Sequence, residues 1–265
     1  MFGITMAESG GEFVAPGPNS FDFSEVALFH VGDLAVTKPM VQLVLGALVV
    51  FVFFYAAARR ATLVPGRLQF AGESAYGMVR NSIGRDIIGS HDFIKFVPYL
   101  VTVFFFLLIN NAFASIPGIQ FPTFSRASMA YALAALSWVI YNAVGIHKHG
   151  LVGYLKLQSV PSGVSPFMYP LLVPLEFFSN ILVRPATLAL RLFANMFAGH
   201  LLLILFSTGG LFLLEYGGIG YVAGPLAWVL AIAISFLELL VQFLQAYVFT
   251  LLNAMYISGA LADEH

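Results

Sequence analysis

The sequence has no cysteine and very little charge. Without cysteine there can be no disulfide, no thiolate ligand for zinc and no thiol nucleophile. Charged residues make up only 9% of the 265 residues, whereas soluble domains carry about 25%. The formal net charge of -1 offers no electrostatic attraction to nucleic acid. These shortages argue against a thiol enzyme, a cysteine-ligated zinc protein and a nucleic-acid-binding protein.

Apolar residues are abundant instead. They form 60% of the chain, which includes 27 phenylalanines, and the mean hydropathy is +0.89. A soluble fold of this length could not bury so much apolar surface, so lipid must cover much of it. The composition therefore predicts an integral membrane protein.

Apolar runs and turn residues predict an all-α fold in one membrane domain, residues 1–265. The fold is expected to contain one vertical span, an interfacial amphipathic helix, a helical hairpin and two long, steeply inclined helices. The expected segments are an outer-side tail at 1–38, span one at 39–58, the amphipathic helix at 68–92, the hairpin at 93–146, and the long helices at 171–206 and 221–262. A plain cytoplasmic loop is the alternative for 68–92, and further loops are expected at 147–166 and 207–220.

Basic residues indicate the orientation, because cytoplasmic loops are enriched in lysine and arginine. The loop after span one has five arginines, namely Arg59, Arg60, Arg67, Arg80 and Arg85. The loop after the third span has Lys148 and Lys156, whereas the N-terminal tail is acidic. The N-terminus is therefore expected outside the cell, or in the intermembrane space of a mitochondrion.

The last two apolar stretches are too long for ordinary spans. They contain 36 and 42 residues, and a span needs about 20. A helix of 36 residues is roughly 54 Å long, so lying within a core of about 30 Å requires a tilt beyond the usual range of about 0–40°. These helices must protrude from the membrane or lie steeply inclined in it.

Ionisable residues interrupt both long stretches. A charge at the bilayer centre costs about 2.5–3.5 kcal/mol even on the mildest scale. For two of these residues, Glu176 and Arg184, an interfacial position or a structural pair remains an equal alternative to a functional role. The other three, Arg191, His200 and Glu238, are flanked by apolar residues for two turns or more, which favours function.

Helical spacing sorts the polar residues of the first long helix into faces. At about 100° per residue, Arg184, Arg191 and Asn195 share one face. His200 follows Arg191 by nine residues and lies about 180° away from it. Arginine remains protonated, whereas imidazole can take up and release a proton. One helix therefore combines a fixed cation with a titratable group.

A polar stripe follows on the last helix. Glu238, Gln242 and Gln245 share a face at the spacing i, i+4, i+7. This pattern predicts a hydrated, proton-accepting surface rather than one that faces lipid, and Gln245 could hydrogen-bond a guanidinium on the neighbouring helix. Together with the first long helix, the stripe suggests a gated proton path.

Two runs of residues carry a resemblance to a known family. The run from Arg184 to His200 is RPATLALRLFANMFAGH, and the run from Leu237 to Leu252 is LELLVQFLQAYVFTLL. Both resemble motifs of the a subunit of rotary ATP synthases, in the same order. The likeness extends from the first span to the C-terminus and is weakest in residues 1–36. It implies the fold expected above, with two long inclined helices packed beside a rotor.

The resemblance implies a role for each matching position. Arg191 matches the stator arginine that faces the carboxylates of the rotating c-ring. His200 and Glu238 match the polar pair that lines the half-channel admitting protons from the outer side. Gln245 matches the glutamine opposite the arginine, and Asn195 a polar neighbour in the motif.

Glu176 matches an acid that precedes the Arg-Pro step in the mitochondrial and alphaproteobacterial pattern, which the order of His200 and Glu238 also resembles. The implied mechanism has two half-channels: a proton reaches the rotor through Glu238 and His200, leaves on the cytoplasmic side, and Arg191 prevents a short circuit. The implied partners are the c-ring, the b-type subunits of the peripheral stalk, the rest of the ATP synthase and the lipid bilayer. The resemblance implies a bacterial plasma membrane more than a mitochondrial inner membrane. It implies no cofactor and no metal, and a chain that is not an enzyme by itself.

Other functions are compatible with parts of the sequence. A stand-alone ion transporter would suit the intramembrane charges, but the chain lacks the internal repeat that many transporters have. A membrane scaffold would explain the hydrophobicity but not the polar stripe. The segment Gly218–Ala223 superficially fits a dinucleotide fingerprint but lacks a preceding strand. His147 and His149 lack a third metal ligand nearby, so a solvated cluster is favoured there.

Overall fold

A computed structural model of the chain describes residues 27–31, 34–59, 62–90, 92–116, 123–159 and 166–262. Most of the expected outer-side tail at 1–38 lies outside the described residues. The strands are β1 (Ala27–Val31) and β2 (Leu34–Thr37). The helices are α1 (Lys38–Ala58), α2 (Arg67–Val79), α3 (Phe93–Ala112), α4 (Ala127–Ser159), α5 (Tyr169–Phe178), α6 (Arg184–Tyr216) and α7 (Gly220–Leu261).

Helices dominate the described residues, and five helical segments there are long and apolar enough to cross a membrane. They are Lys38–Ala58, Phe93–Ser115, Ala127–Ser159, Tyr169–Glu215 and Gly220–Leu261. The expectation of a helical, multi-pass membrane protein is therefore confirmed. The exception is a small antiparallel hairpin, in which Ala27 of β1 pairs with Thr37 of β2, directly before α1.

The amphipathic segment begins where the pattern predicts and ends earlier. Helix α2 starts at Arg67 and continues as a π-helix, Arg80–Ile88, which stops before Gly89 at φ 94°. The expected end at residue 92 is thus four residues too late. Val79 and Ile83 are completely buried, so the apolar face of this segment packs against the helical body rather than forming a plain loop.

Helices α3 and α4 are the two helices expected as the arms of the hairpin, and α4 is longer than expected. The expected loop at 147–166 is wrong in its first part, because α4 continues to Ser159 through a break at Gly150 (φ 73°). Beyond the break the chain packs back, and a Cβ atom on Gly145 would overlap the Tyr154 ring. That packing keeps residues 151–159 helical although the sequence around Gly150 looks like a loop.

The long helices match the expected stretches with two differences. Helices α5 and α6 are joined by a π-helical turn, Ser179–Val183, just before Pro185. The expected loop at 207–220 is wrong, because α6 continues to Tyr216 and only a short turn precedes α7. Helix α7 has almost the expected limits of 221–262.

Close contact between α6 and α7 explains the extension of α6. A Cβ atom on Gly224 would lie 2.9 Å from the carbonyl oxygen of Gly210 and 2.7 Å from the Leu214 side chain. The backbone of α7 therefore lies very close to α6 at this point. Small residues permit this kind of approach between membrane helices. The buried core lies where α3, α4 and α6 pack around α7. Its members include Leu100, Phe104, Leu107, Leu188, Leu192 and Phe249.

Candidate functional site

The polar stripe of α7 faces the interior of the helical body. Glu238, Gln242 and Gln245 expose only 6%, 3% and 3% of their surface. The neighbouring residues Leu237 and Leu240 on the same helix are exposed. The prediction that the three polar residues share one face, turned away from lipid, agrees with this burial.

Glu238 contacts the imidazole of His200 on α6. The Glu238 Oε1 atom lies 3.4 Å from His200 Nδ1, and both side chains are buried. Gly199 lies beside this contact, and a Cβ atom there would be 3.4 Å from the Glu238 carboxyl. The second carboxyl oxygen, Oε2, has no hydrogen-bond partner among the described residues. The pair therefore places a carboxyl beside an imidazole, two groups that can exchange a proton.

Gln245 pairs with Asn195 rather than with a guanidinium. The Asn195 side-chain amide donates a hydrogen bond of 2.6 Å to Gln245 Oε1. The suggested bond from Gln245 to an arginine is absent from the part of the chain that the structure describes. Asn195 lies one helical turn after Arg191, so this hydrogen bond fixes the arginine-bearing face of α6 against α7.

Arg191 lies at the surface of the helical body. Its side chain is exposed, whereas Leu188 and Leu192 beside it are 2% and 0% exposed. None of the described residues gives Arg191 a hydrogen bond or an ion pair. Because a guanidinium is costly to leave unpaired at lipid depth, this surface is suited to an anionic group outside the chain.

Gln242 connects the stripe to α3. The Gln242 Nε2 atom donates a hydrogen bond of 2.8 Å to Ser115 Oγ, and the Asn111 amide donates to the Gln242 backbone carbonyl at 3.3 Å. Ser115 and Asn111 are not among the residues predicted for the site from the sequence. The available signal was the pair Asn110-Asn111 inside an otherwise apolar helix.

A small cavity lies against the stripe. Its volume is about 10 Å³, close to the smallest space that holds one water molecule. Its lining residues are Asn195, Met196, Glu238, Val241, Gln242 and Gln245. The cavity therefore borders both the acid of the His200 pair and the Asn195–Gln245 hydrogen bond.

Glu176 belongs to a different polar cluster, apart from the pair formed by His200 and Glu238. Glu176 Oε2 accepts a hydrogen bond from Asn180 at 3.2 Å. Asn180 also donates to the backbone carbonyl of Gln158 at 2.6 Å, and Arg184 donates to Gln158 Oε1 at 3.4 Å. Five of the six predicted site residues thus lie along α6 and α7 near one another, and Glu176 does not join them.

The cluster around Glu176 continues into α4. Gln158 donates to the Tyr154 hydroxyl, which donates to Asn142 Oδ1, each at 3.0 Å. The Arg184 guanidinium also lies 5.4 Å from the centre of the Tyr256 ring. These contacts with Gln158 and Tyr256 support a structural pairing of Arg184 rather than an interfacial position. The spacing of Glu176, Asn180 and Arg184 at i, i+4, i+8 was the signal that could have revealed this cluster.

The fold and these side chains together define a multi-pass membrane protein with a buried acid–imidazole pair and an outward-facing arginine. Residues 40–258 of the chain match the family described as the ATP synthase A chain. The chain belongs to this family, and it is a component of the membrane sector of an ATP synthase.

Relatives support the assignment over the whole length. The chain is 64% identical to ATP synthase subunit a of a Nocardioides species, across 99% of this chain and 98% of the relative. It is 48% identical to the subunit of Pseudarthrobacter chlorophenolicus, across 98% and 97%. Identity to the Streptomyces lividans subunit is 40%, across 97% and 90%. These bacterial relatives and the apolar helices indicate a multi-pass protein of a bacterial plasma membrane.

Proposed function

We propose that this chain is the stator subunit that carries protons to and from a rotating c-ring through two half-channels. The single observation that carries the proposal is the position of Arg191, a permanently charged side chain on the exposed surface of α6. It lies one turn from the Asn195–Gln245 hydrogen bond. A rotor carboxylate passing this surface would supply the missing partner for the guanidinium.

The half-channel from the outer side is formed by Glu238 and His200. The two side chains, 3.4 Å apart, are acid–base groups that can bind a proton before it reaches a rotor carboxylate. The adjacent small cavity can hold a water molecule beside them. The neutral carboxyl then tolerates the lipid phase, and the ring turns. Gln245 and Asn195 hold the two helices in register at the point of transfer.

Glu176 serves the half-channel on the cytoplasmic side. It lies in a cluster separate from Glu238, and α5 brings it to the opposite part of the long helix from His200. A rotor carboxyl that releases its proton near this cluster returns as an anion to Arg191. Arg191 cannot relay a proton, so it blocks direct passage between the half-channels.

The orientation and partners complete the proposal. The arginine-rich loop after α1 lies in the cytoplasm and the N-terminus lies outside, as the distribution of basic residues supports. The long helices α6 and α7 lie steeply inclined against the c-ring, which their length supports. Subunits of the peripheral b type hold the chain still, so that proton flow turns the ring and not the stator.

The test is ATP-driven proton pumping in inverted membrane vesicles containing the assembled complex. Arg191→Ala should abolish pumping, and Glu238→Gln should slow it. Arg67→Ala is the matched control, because it removes an equally exposed arginine outside the site and should leave pumping unchanged. Undiminished pumping by Arg191→Ala would overturn the proposal and favour a scaffold or an independent transporter.

A further inference from the structure

The backbone carbonyl of Ile181 lacks its regular α-helical donor. In a regular α-helix this oxygen would accept from the N–H of residue 185, but Pro185 has none. The preceding turn is already π-helical, with the Arg184 N–H donating to the carbonyl of Ser179, five residues back. The Ile181 oxygen is therefore free of the usual residue-185 bond and can accept from a side chain of another helix.

Trp138 on α4 provides that donor. Its indole Nε1 donates a hydrogen bond of 3.0 Å to the Ile181 carbonyl. The indole N–H can only donate, so this bond satisfies two groups that lipid would leave unpaired. Because unpaired polar groups are costly in an apolar environment, the bond favours the helical geometry that Pro185 imposes.

The π-helical turn decides how the two parts of the long helix face one another. A π-turn inserts about one extra residue, and each residue rotates a helix by about 100°. Glu176 lies before the turn and Arg191 after it. If the turn reverted to regular α-helix, the direction of Glu176 relative to Arg191 would change by a large angle.

We propose that Trp138 is a positioning residue, which holds the π-turn at Ser179–Val183 through the Ile181 carbonyl and so fixes the direction of Glu176 relative to Arg191. Its effect on proton transfer rests on the proposed function. Gln158 of the same helix α4 binds one residue within the turn, Asn180, and one directly after it, Arg184. The Trp138 bond differs from these two Gln158 bonds because its acceptor, the Ile181 carbonyl, is the one that Pro185 deprives of its regular donor.

That dependence gives a test by two substitutions. Trp138→Phe keeps an aromatic ring and removes the donor, and it should lower ATP-driven proton pumping by about fivefold to tenfold, the equivalent of one hydrogen bond. Pro185→Ala restores an N–H that can pair with Ile181. In that background Trp138→Phe should lower pumping less than about twofold. Equal losses in both backgrounds, or no loss in either, would overturn the proposal.

Trp228→Phe is the matched control. The Trp228 indole also donates to a helix carbonyl, that of Ser207, at 3.3 Å. Residue 211, which follows Ser207 by four, is leucine and retains its N–H. Trp228→Phe should therefore give the same effect with or without Pro185. Coupling of Trp228→Phe to Pro185→Ala would show that the proline acts generally, and would overturn the specific link to Trp138.

A high-resolution structure of the assembled Trp138→Phe complex separates this proposal from the proposed function. The expected result is a changed turn at Ser179–Val183 with the rest of α6 intact. An unchanged turn would overturn the positioning role whatever the pumping rate. A changed turn with full pumping would also overturn it if Arg191→Ala still abolishes pumping. Undiminished pumping by Arg191→Ala would instead indicate failure of the proposed function.

Discussion

Asn195 on α6 and Gln245 on α7 share a hydrogen bond of 2.6 Å, one helical turn from Arg191. It joins the two long helices at the place where a permanently charged side chain reaches the surface. Gln245 is buried, and its Nε2 atom has no partner among the described residues. The carbonyl oxygen of Gln245 is therefore the atom that orients Asn195.

Replacing Gln245 by leucine should weaken proton pumping through the loss of this acceptor. We expect a reduction of about fivefold, because one hydrogen bond is worth about 1 kcal/mol. The measurement is pumping by Gln245→Leu, Asn195→Ala and the double variant. The double variant should be little worse than either single variant. Losses that simply multiply would show that the two side chains act independently.

Replacing Glu238 by glutamine should slow pumping by tenfold or more. The change preserves size but removes the carboxyl that lies 3.4 Å from His200 and that the proposed half-channel uses for proton exchange. Acid–base groups of this kind typically contribute about 10²-fold or more. Glu215→Gln is the control, because Glu215 is exposed at the end of α6. A similar loss in both variants would mean that the negative charge, and not proton exchange at Glu238, determines the rate.

Gly199 should tolerate alanine but not leucine. A Cβ atom there would lie 3.4 Å from the Glu238 carboxyl, which is an ordinary contact. A longer side chain would occupy the space between Gly199 and Glu238 and push the carboxyl away from His200. Pumping should therefore change less than about twofold in Gly199→Ala and at least about tenfold in Gly199→Leu, since overpacking typically costs about 1–3 kcal/mol. Equal pumping by both variants would show that the Glu238 position does not depend on this space.

The sequence was sufficient to predict the elements that depend on local pattern. The continuous apolar run after Gly220 predicted α7 nearly to the residue, and its spacing predicted that Glu238, Gln242 and Gln245 share a face. Hydrogen-bond partners such as Ser115 could not be predicted, because they depend on how α3 packs against α7.

Tertiary contacts also explain the errors in the helix limits. Gly210 falls in the stretch expected to be an outer loop, yet its missing side chain lets α6 approach α7. The loop was expected to start at residue 147, but the chain beyond the break at Gly150 folds back as a helix with Tyr154 against Gly145. The only local sequence signal for the π-turn before Arg184 is Pro185. Its effect on the Ile181 carbonyl could not be predicted, because it involves Trp138 of another helix.

The junction between α6 and α7 should be the place most sensitive to an added methyl group. A Cβ atom on Gly220 would overlap the backbone carbonyl of Leu213, and a backbone atom cannot rotate away as a side chain can. Gly220→Ala should therefore destabilise the subunit by about 1–3 kcal/mol, the usual cost of overpacking. The expected result is a lower midpoint temperature for thermal disassembly of the purified complex.

Gly259→Ala provides the opposite control on the same helix. Apart from its own helical turn, none of the described residues lies within 4 Å of a Cβ atom at Gly259. Alanine is favoured over glycine in a helix by about 0.5–1 kcal/mol. Gly259→Ala should therefore leave the midpoint unchanged or raise it slightly. Because both substitutions add one methyl group to α7, a difference between them reports the contact with Leu213 and not helix propensity. Equal midpoints would contradict the close approach of α6 and α7 at this junction.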